Sequence, residues 1–283
     1  MPAELDILIP TCDRPAALAV TLTSLLGQTV SRDARLVVSD QSQPPLDDAP
    51  SSASGIPELT AVRRVARAMS VPLDWHTHLP RRGAAEQRDF LLDQVTAPYA
   101  LFIDDDLVFE ADILSRLLRA IRREQCGFVG AMPIELSSVS DVRPHEQSIE
   151  FWDGPVEPET VLPGSLAWSR HEHHNATNIH HIAARLGVDK TNERLYRIAW
   201  LRGCVLYDTA ALRASGGFGF WPDLPAAHSG EDVLAQLRVM ARFGGCGLLP
   251  SGVYHQELPA RSADRSSDAP WALPLDPGWA PGG

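Results

Sequence analysis

The stretch Tyr99-Ala100-Leu101-Phe102-Ile103-Asp104-Asp105-Asp106 places three carboxylates directly after a short apolar run. The apolar run predicts a buried strand, so the three acids would emerge together at one edge of a sheet. Adjacent negative charges repel one another, and this repulsion costs stability unless a cation or a donor-rich ligand lies among them. Mg²⁺ and Mn²⁺ favour carboxylate oxygens and often share their coordination with substrate phosphates. A solvated acidic turn that opens the next helix is the plain alternative.

The rest of the chain gives this strand its context. Strand patterns occur near residues 5–9, 36–38, 73–76, 99–103, 127–132, 203–207, 246–249 and 253–254, and helical patterns near 15–28, 58–69, 86–95, 109–123, 208–214 and 231–243. Because helix-length crossovers separate the early strands, we predict an α/β fold with a Rossmann-like, mostly parallel central sheet and helices on both faces. Residues 43–57 predict a long loop, and residues 135–200 show little periodicity.

The charge and composition of the chain argue against several classes of partner. The 283 residues carry a formal net charge of -11, which would repel nucleic acid and anionic membranes. No stretch approaches the roughly 20 apolar residues of a membrane span, and no secretory signal precedes the first strand. We therefore expect a cytoplasmic protein without a transmembrane segment. The cysteines are widely separated, so neither a disulfide framework nor a zinc site is expected.

Several short motifs, in order along the chain, resemble those of the inverting family 2 glycosyltransferases, whose nucleotide-sugar domain has the GT-A fold. The opening strand and turn run from Ile7 to Arg14, residues 22–29 resemble the first helix, and residues 37–42 the strand that ends at Asp40. Residues 83–89 are similar to the segment that precedes the metal strand, and Asp104 and Asp106 take the positions of the DxD motif. The resemblance covers approximately residues 4–132 and 200–256.

This resemblance implies a site for a nucleotide-diphosphate sugar, with a UDP-sugar as the favoured donor. The donor-binding side chains and backbone would come from the strand ends and from the segment at residues 83–89. They are Pro10, Thr11, Asp13, Asp40, Gly83, Arg88, Asp104 and Asp105. In this set Thr11, Asp13 and Asp40 would hold the nucleoside, and Arg88 would lie near the diphosphate. An exposed helix residue paired with a nearby acid is the alternative for Arg88.

The expected cofactor is Mn²⁺ or Mg²⁺. By resemblance, Asp106 is the main metal ligand, and Asp104 faces the ribose or a water near the ion. His255 is a candidate third ligand, since imidazole can join carboxylates around Mn²⁺. A histidine in a half-buried turn explains His255 equally well.

Glu231 and Asp232 form a second acidic element at the start of a predicted helix. Helix capping and complementarity to the helix dipole account for such a pair without any catalytic role. In similar glycosyltransferases an acidic pair at this place contains the base that deprotonates the acceptor during inversion. By register we favour Asp232 as the base and Glu231 as an acceptor-positioning group, and burial near the donor would raise the pKa of the base.

A His-rich segment, residues 168–181, does not match HExxH because Asn175 follows His174. Aromatic and imidazole groups suit sugar and phosphate recognition, so we interpret this segment as part of an acceptor-binding insertion; a polar surface loop is the alternative. The expected organisation is a donor-binding half at residues 1–132, an acceptor-binding and catalytic half of the same domain at 133–259, and a loosely ordered tail at 260–283.

The sequence thus predicts a metal-dependent, inverting glycosyltransferase of the hexosyltransferase type. It would move single sugars rather than polymerise, because the QxxRW signature of processive synthases is absent. The resemblance implies a glycan, a lipid-linked or a small-molecule acceptor, in surface glycan synthesis. Two alternatives stay open. A sugar nucleotidyltransferase uses a similar sheet and metal, but would carry a Gly-rich, Arg-containing loop after the first strand, where Pro10-Thr11-Cys12-Asp13 stands. A non-catalytic nucleotide- or sugar-binding protein on the same fold needs no base.

Overall fold

The computed structural model of the protein describes residues 3–43, 56–259 and 266–275. Most of the predicted loop at residues 43–57 lies outside the described residues. The strands are β1 Leu5–Thr11, β2 Ala34–Asp40, β3 Leu73–Thr77, β4 Tyr99–Ile103, β5 Leu107–Phe109, β6 Phe128–Gly130, β7 Arg194–Tyr196, β8 Cys204–Asp208, β9 Gly245–Leu249 and β10 Val253–His255. The α-helices are α1 Pro15–Leu26, α2 Pro57–Met69, α3 Ala84–Asp93, α4 Ile113–Glu124, α5 Asn178–Leu186, α6 Thr209–Ala214, α7 Glu231–Phe243 and α8 Ala269–Ala272.

The central sheet has the strand order β3-β2-β1-β4-β8-β6-β9-β7. All of its strands run in one direction except β8, which is antiparallel to β4 and β6, and β7, which is antiparallel to β9. The predicted α/β fold with a mostly parallel sheet is therefore confirmed. Since β8 runs against its neighbours, it begins at the edge where β1, β2 and β4 end.

Helices cover both faces of the sheet because the side chains of each strand alternate between the faces. In β1, Leu5, Ile7 and Ile9 pack in one core with α1, α2 and α4, whereas Leu8 belongs to a second core with α3, α5, α6 and α7. All four side chains are buried. A strand buried on both sides reads as a continuous apolar run, which is why these strands were recognisable in the sequence.

One helix boundary was predicted wrongly. The helix expected to start at residue 109 begins at Ile113, and Leu107–Phe109 instead form β5, which pairs with β10 in a separate two-stranded sheet. Leu107 and Phe109 are buried, whereas Val108 between them is partly exposed, and this alternation suits a strand. The partner strand lies far along the chain, so no local pattern announced the pairing.

The region between β6 and β8 holds more structure than its weak periodicity indicated. It contains α5, the edge strand β7 and several short 3₁₀ helices, including Ala167–His174 in the His-rich segment. Its two ends are close together, because Ala131 N–H donates to Cys204 O at 3.1 Å. The region is therefore a large excursion that leaves the sheet after β6, adds the edge strand β7 and returns at β8, beside its starting point.

Part of the expected tail has defined structure. Residues 266–275 include α8 and attach to the loop before α7, where Ser229 N–H donates to Ser267 O and Ala269 N–H donates to Ser229 O, both at 2.9 Å. This segment therefore lies beside the start of the helix that carries Glu231 and Asp232. Across the described residues, no helix has the length and apolar character that membrane crossing requires.

Candidate active site

The acidic triplet follows β4 at the carboxyl edge of the sheet, and its backbone is held from three sides. Asp104 N–H donates to Gly203 O at 3.0 Å, and the Thr21 hydroxyl donates to Asp105 O at 2.9 Å. The Thr11 hydroxyl, at the end of β1, donates to Asp105 Oδ2 at 2.6 Å. Asp105 consequently points inward and is buried, while the Asp104 side chain is 38% exposed. The three acids face different partners, which relieves their mutual repulsion.

A cavity of about 390 Å³ opens in front of these acids. Six of the predicted site residues line it, namely Pro10, Arg88, Asp104, Asp105, Asp106 and His255. Thr11, Asp13, Asp40, Gly83, Glu231 and Asp232 are not among its lining residues. Arg14 and Arg202, which the sequence argument did not select, also line the cavity and add positive charge opposite the acids. A cavity with carboxylates and guanidinium groups suits an anionic ligand together with a cation.

The three predicted nucleoside contacts lie in different surroundings. Thr11 and Asp40 are fully buried, and Asp40 Oδ1 accepts a hydrogen bond from Ser42 N–H at 2.9 Å. Asp13 is partly exposed, has a left-handed backbone (φ 56°) and pairs with Arg81 at 2.6 Å. Asp13 is therefore the most accessible of the three, and Asp40 contributes to the turn that follows β2.

The start of α3 is fixed by a tight fit between Gly83 and His228. Gly83 has φ 113°, and a Cβ there would lie 2.6 Å from His228 Cε1, so no other residue fits without movement. His228 Nε2 accepts from Ala85 N–H at 3.1 Å, and its Nδ1 lies 2.7 Å from Pro225 O. Because Nε2 accepts, the ring proton lies on Nδ1 and is donated to Pro225. This locks the helix that carries Arg88.

Arg88 contacts both the acidic triplet after β4 and the acidic pair at the start of α7. Its Nη2 lies 3.0 Å from Asp104 Oδ1 and its Nε lies 3.1 Å from Glu231 Oε1. Burial alone would lower the pKa of Arg88, but Asp104 and Glu231 together raise it above the usual value. The guanidinium therefore stays charged between two carboxylates, which is the arrangement that makes a buried ion pair tolerable.

Asp232 has a raised pKa. Burial, followed by the negative charges of Glu231 and Asp104, raises the pKa of Asp232 to about 7, and Arg88 opposes this rise. The ion pairs of Arg88 are with Asp104 and Glu231 rather than with Asp232. A carboxylate with such a pKa is suited to general base catalysis.

The residues predicted to hold a metal fit it in part. Asp106 Oδ1 lies 3.6 Å from His255 Nε2, so these two side chains share one location, and their oxygen and imidazole donors suit Mn²⁺. His255 Nδ1 accepts from Glu257 N–H at 2.8 Å, which places the proton of the neutral ring on Nε2. Coordination through Nε2 requires that proton to move. In the described part of the chain, no three His, Cys, Asp or Glu residues converge as a ready-made metal cluster.

The His-rich segment separates into a buried and an accessible part. His173 and His174 are buried, burial lowers the pKa of His173 to about 4, and His174 Nε2 lies 3.1 Å from the Tyr196 hydroxyl. These two rings are neutral packing groups. His171 is partly exposed and stacks on Trp200, with ring centroids 6.2 Å apart.

The accessible rings continue into the C-terminal segment. Trp168 lies 6.2 Å from His171 and 6.1 Å from Trp271, measured between ring centroids. We call Trp168, His171, Trp200 and Trp271 the aromatic row. Both flanks of the row reach α7: Leu201, next to Trp200, binds Gln236 through both backbone groups, and Pro270, next to Trp271, lies against Gly230. Asp232 and Gln236 are one helical turn apart, so Leu201 contacts α7 one turn after Asp232.

The fold is one that known proteins share. The fold is the GT-A fold of glycosyltransferases, with acids at the end of β4 and at the start of α7. The sequence profile described as Glycosyl transferase family 2 matches residues 76–186, and the resemblance to that family is thereby confirmed. This matched segment contains the acidic triplet. No curated protein matches the chain in sequence.

Solved structures share the fold at low sequence identity. The S. aureus TarS 1-349 structure in complex with UDP-GlcNAc is 14% identical with a TM-score of 0.55, and the match covers 91% of this chain and 59% of that one. The mannosyltransferase PcManGT from Pyrobaculum calidifontis, in complex with GDP-Man and Mn²⁺, is 16% identical with a TM-score of 0.51, covering 87% and 57%. A longer TarS structure is 15% identical, with a TM-score of 0.53 and 89% of this chain covered. This chain covers only 36% of that TarS structure.

Proposed function

We propose that the chain is a metal-dependent, inverting glycosyltransferase that moves one sugar from a nucleotide-diphosphate sugar to an acceptor hydroxyl. The observation that carries the proposal is the position of Arg88, which lines the cavity and contacts both Asp104, at the end of β4, and Glu231, at the start of α7. A binding protein has no need of an acid with a pKa of about 7 at this place. The TarS and PcManGT structures hold UDP-GlcNAc and GDP-Man, which supports a sugar nucleotide as donor.

The donor would enter the cavity with its diphosphate facing Arg88, Arg14 and Arg202. Asp106 and Asp104 would hold the divalent cation, with His255 as the third ligand after its proton has moved. A bound Mn²⁺ or Mg²⁺ would supply neutralisation of the leaving diphosphate. We favour a UDP-sugar. The buried Thr11 and Asp40 would shape the nucleoside end, and the accessible Asp13 would contact it.

In the transfer step, Asp232 would accept the proton of the acceptor hydroxyl while its oxygen attacks the anomeric carbon from the face opposite the diphosphate. This in-line geometry inverts the anomeric configuration. Glu231, held by Arg88, would orient the acceptor hydroxyl. The pKa of about 7 for Asp232 keeps a useful fraction of it ionised at neutral pH and makes it a better base than an ordinary carboxylate.

The aromatic row, whose flanking residues contact α7 and Gly230, supports an acceptor site near the start of α7. Indole and imidazole faces stack on the C–H faces of sugar rings, so a glycan or other glycoside is the acceptor class that we favour. The hexosyl type, the lipid-linked context and the role in surface glycan synthesis stay predictions from the family resemblance, as does the cytoplasmic location from the sequence.

The deciding experiment is a titration of UDP and GDP, each with Mn²⁺ and with EDTA, followed by turnover of the matching sugar nucleotides. Metal-dependent binding of one nucleotide, followed by nucleoside diphosphate release, would support the proposal. Proton NMR of the product would then report the anomeric configuration. Release of pyrophosphate would instead identify a nucleotidyltransferase, and tight nucleotide binding without any turnover would identify a binding protein.

A further inference from the structure

Arg14 occupies the position on the acidic triplet where a divalent cation is expected. Its Nη1 lies 2.7 Å from Asp106 Oδ2 and 3.6 Å from Asp105 Oδ1. The two carboxylates are almost completely buried, with side-chain exposures of 5% and 1%, and Arg14 is 16% exposed. A third contact runs from Arg14 Nη2 to the Pro259 carbonyl, beyond β10. The guanidinium therefore balances charges that would otherwise be buried close together.

A divalent cation and this guanidinium would compete for the same oxygen atoms. Asp106 is the acid that lies nearest to both Arg14 and His255, at 2.7 and 3.6 Å. A metal bound between Asp106 and His255 would face Arg14 at short range, and two cations at that range repel strongly in a buried site. One of them has to withdraw.

Arg14 has an alternative anion within the same cavity once a donor is present. It lines the cavity together with Arg88 and Arg202, so a rotation of its side chain keeps it inside the site. Its planar fork of N–H donors suits phosphate oxygens, which it can bind through two parallel hydrogen bonds. The diphosphate of a nucleotide sugar supplies such oxygens next to the metal.

We propose that Arg14 is a built-in counter-ion of the donor site that exchanges partners on loading: it holds Asp105 and Asp106 in the free chain and passes to the donor diphosphate when the divalent cation binds. This inference rests on the proposed function. The exchange also breaks the contact with Pro259, while Gln256 still holds the segment after β10 to Ala17 of α1. Arg14 is thus a positioning residue for both the cation and the diphosphate.

The test measures two affinities in the same variants. Free Mn²⁺, followed by its electron paramagnetic resonance signal, gives the affinity for metal alone, and calorimetry gives the affinity for UDP in saturating Mn²⁺. In Arg14→Gln we expect Mn²⁺ alone to bind about tenfold more tightly, because the competing charge is gone. UDP should bind about tenfold more weakly in the same variant, because a phosphate contact is lost. Arg14→Lys should return the Mn²⁺ affinity toward that of the parent.

The control is Arg119→Gln, which removes the same charge from α4, where Arg119 is 58% exposed and pairs with Glu193. Neither affinity should change in this variant. A purely structural role for Arg14 would lower both affinities together, and that result overturns the inference, as does an unchanged Mn²⁺ affinity in Arg14→Gln. If the parent chain binds UDP with Mn²⁺ and the variant behaves identically, only the role of Arg14 fails. If the parent binds neither UDP nor GDP, the proposed function fails as well.

Discussion

Arg88 Nε lies 3.1 Å from Glu231 Oε1, although the two residues are 143 positions apart in the sequence. The contact joins the second turn of α3 to the first turn of α7, and Nη2 of Arg88 lies 3.0 Å from Asp104 Oδ1. A single guanidinium therefore touches the acids of the donor side and of the acceptor side. A change of charge on one side alters the electrostatic potential on the other.

Arg88→Gln should move the pH dependence of transfer. Arg88 lowers the pKa of Asp232, so its removal lets that pKa rise further above about 7. The acidic limb of kcat/KM should therefore shift to higher pH, and the free energy of unfolding should fall by about 3–5 kcal/mol, because the buried Glu231 loses its cation. Rate profiles from pH 5 to 9 and urea denaturation measure both effects. An unshifted limb would show that Arg88 does not act on the base.

The parent chain should itself show an acidic limb near neutral pH. Asp232 must be ionised to accept a proton, and burial with the charge of Glu231 raises its pKa to about 7. Activity should therefore rise with pH through this value, roughly tenfold per unit on the acidic side. Profiles of kcat/KM in buffers of constant ionic strength measure the limb. A limb near pH 4 would mean that an ordinary carboxylate is the base.

Asp106→Ala and Asp232→Asn should separate binding from transfer. Loss of the Asp106 carboxylate removes the main proposed metal ligand, so Mn²⁺-dependent UDP binding should disappear. Asp232→Asn keeps the shape of the side chain and leaves the three acids after β4 unchanged, so binding should survive while kcat falls about 10²–10⁴-fold. Calorimetry and nucleotide release distinguish the two. Equal loss of UDP binding in both variants would contradict this division of roles.

Trp271→Ala should weaken acceptor binding with little effect on folding. The Trp271 side chain is 63% exposed, so its loss should change the free energy of unfolding by only about 0.5 kcal/mol. If the aromatic row holds a sugar ring, KM for a glycoside acceptor should rise about tenfold while KM for the donor stays constant. Trp75→Phe, on the far edge strand β3, is the matched control. An equal rise of KM in both variants would remove the aromatic row from the acceptor site.

Thr11→Val should destabilise the fold before any ligand is considered. The Thr11 hydroxyl donates to the buried Asp105 at 2.6 Å, and valine keeps the shape but not the donor. A buried carboxylate that loses a hydrogen bond costs about 1–3 kcal/mol. Thermal and urea unfolding measure this change. No loss of stability would indicate that the turn after β4 is held mainly by Thr21 and Gly203.

The sequence predicted the parts of the fold that local patterns encode. The β4 strand and its acids were visible because a run of apolar residues ends abruptly in aspartates, and α7 was visible from its apolar spacing. β5 was missed because its partner, β10, follows more than a hundred residues later. β5 has only three residues, and their alternation is too short a signal to outweigh the helical spacing of the residues that follow.

The candidate site was predictable as a set of acids but not as a set of contacts. Asp104, Asp106 and His255 do line one cavity, yet the partner of each acid comes from a distant element. Arg14 was overlooked because a lone arginine after a strand has many explanations, and its pairing with Asp106 spans 92 positions. Trp271 was placed in a loose tail because Pro, Ser and Asp dominate its neighbourhood. Side-chain contacts between residues far apart in the sequence depend on how the elements pack, and local composition does not reveal that packing.

The hydrogen bond from Ala131 to Cys204 has a consequence for how such a protein can diversify. It joins the two ends of the excursion, which carries α5, the His-rich segment and most of the aromatic row. Between these two residues, β7, Arg202 and Gly203 belong to the sheet or contact the site, whereas α5 and the His-rich segment are neither strands of the sheet nor lining residues of the cavity. Sequence changes confined to α5 and the His-rich segment would therefore alter the surface that carries part of the aromatic row, while the strands of the sheet and the residues that line the cavity stay the same.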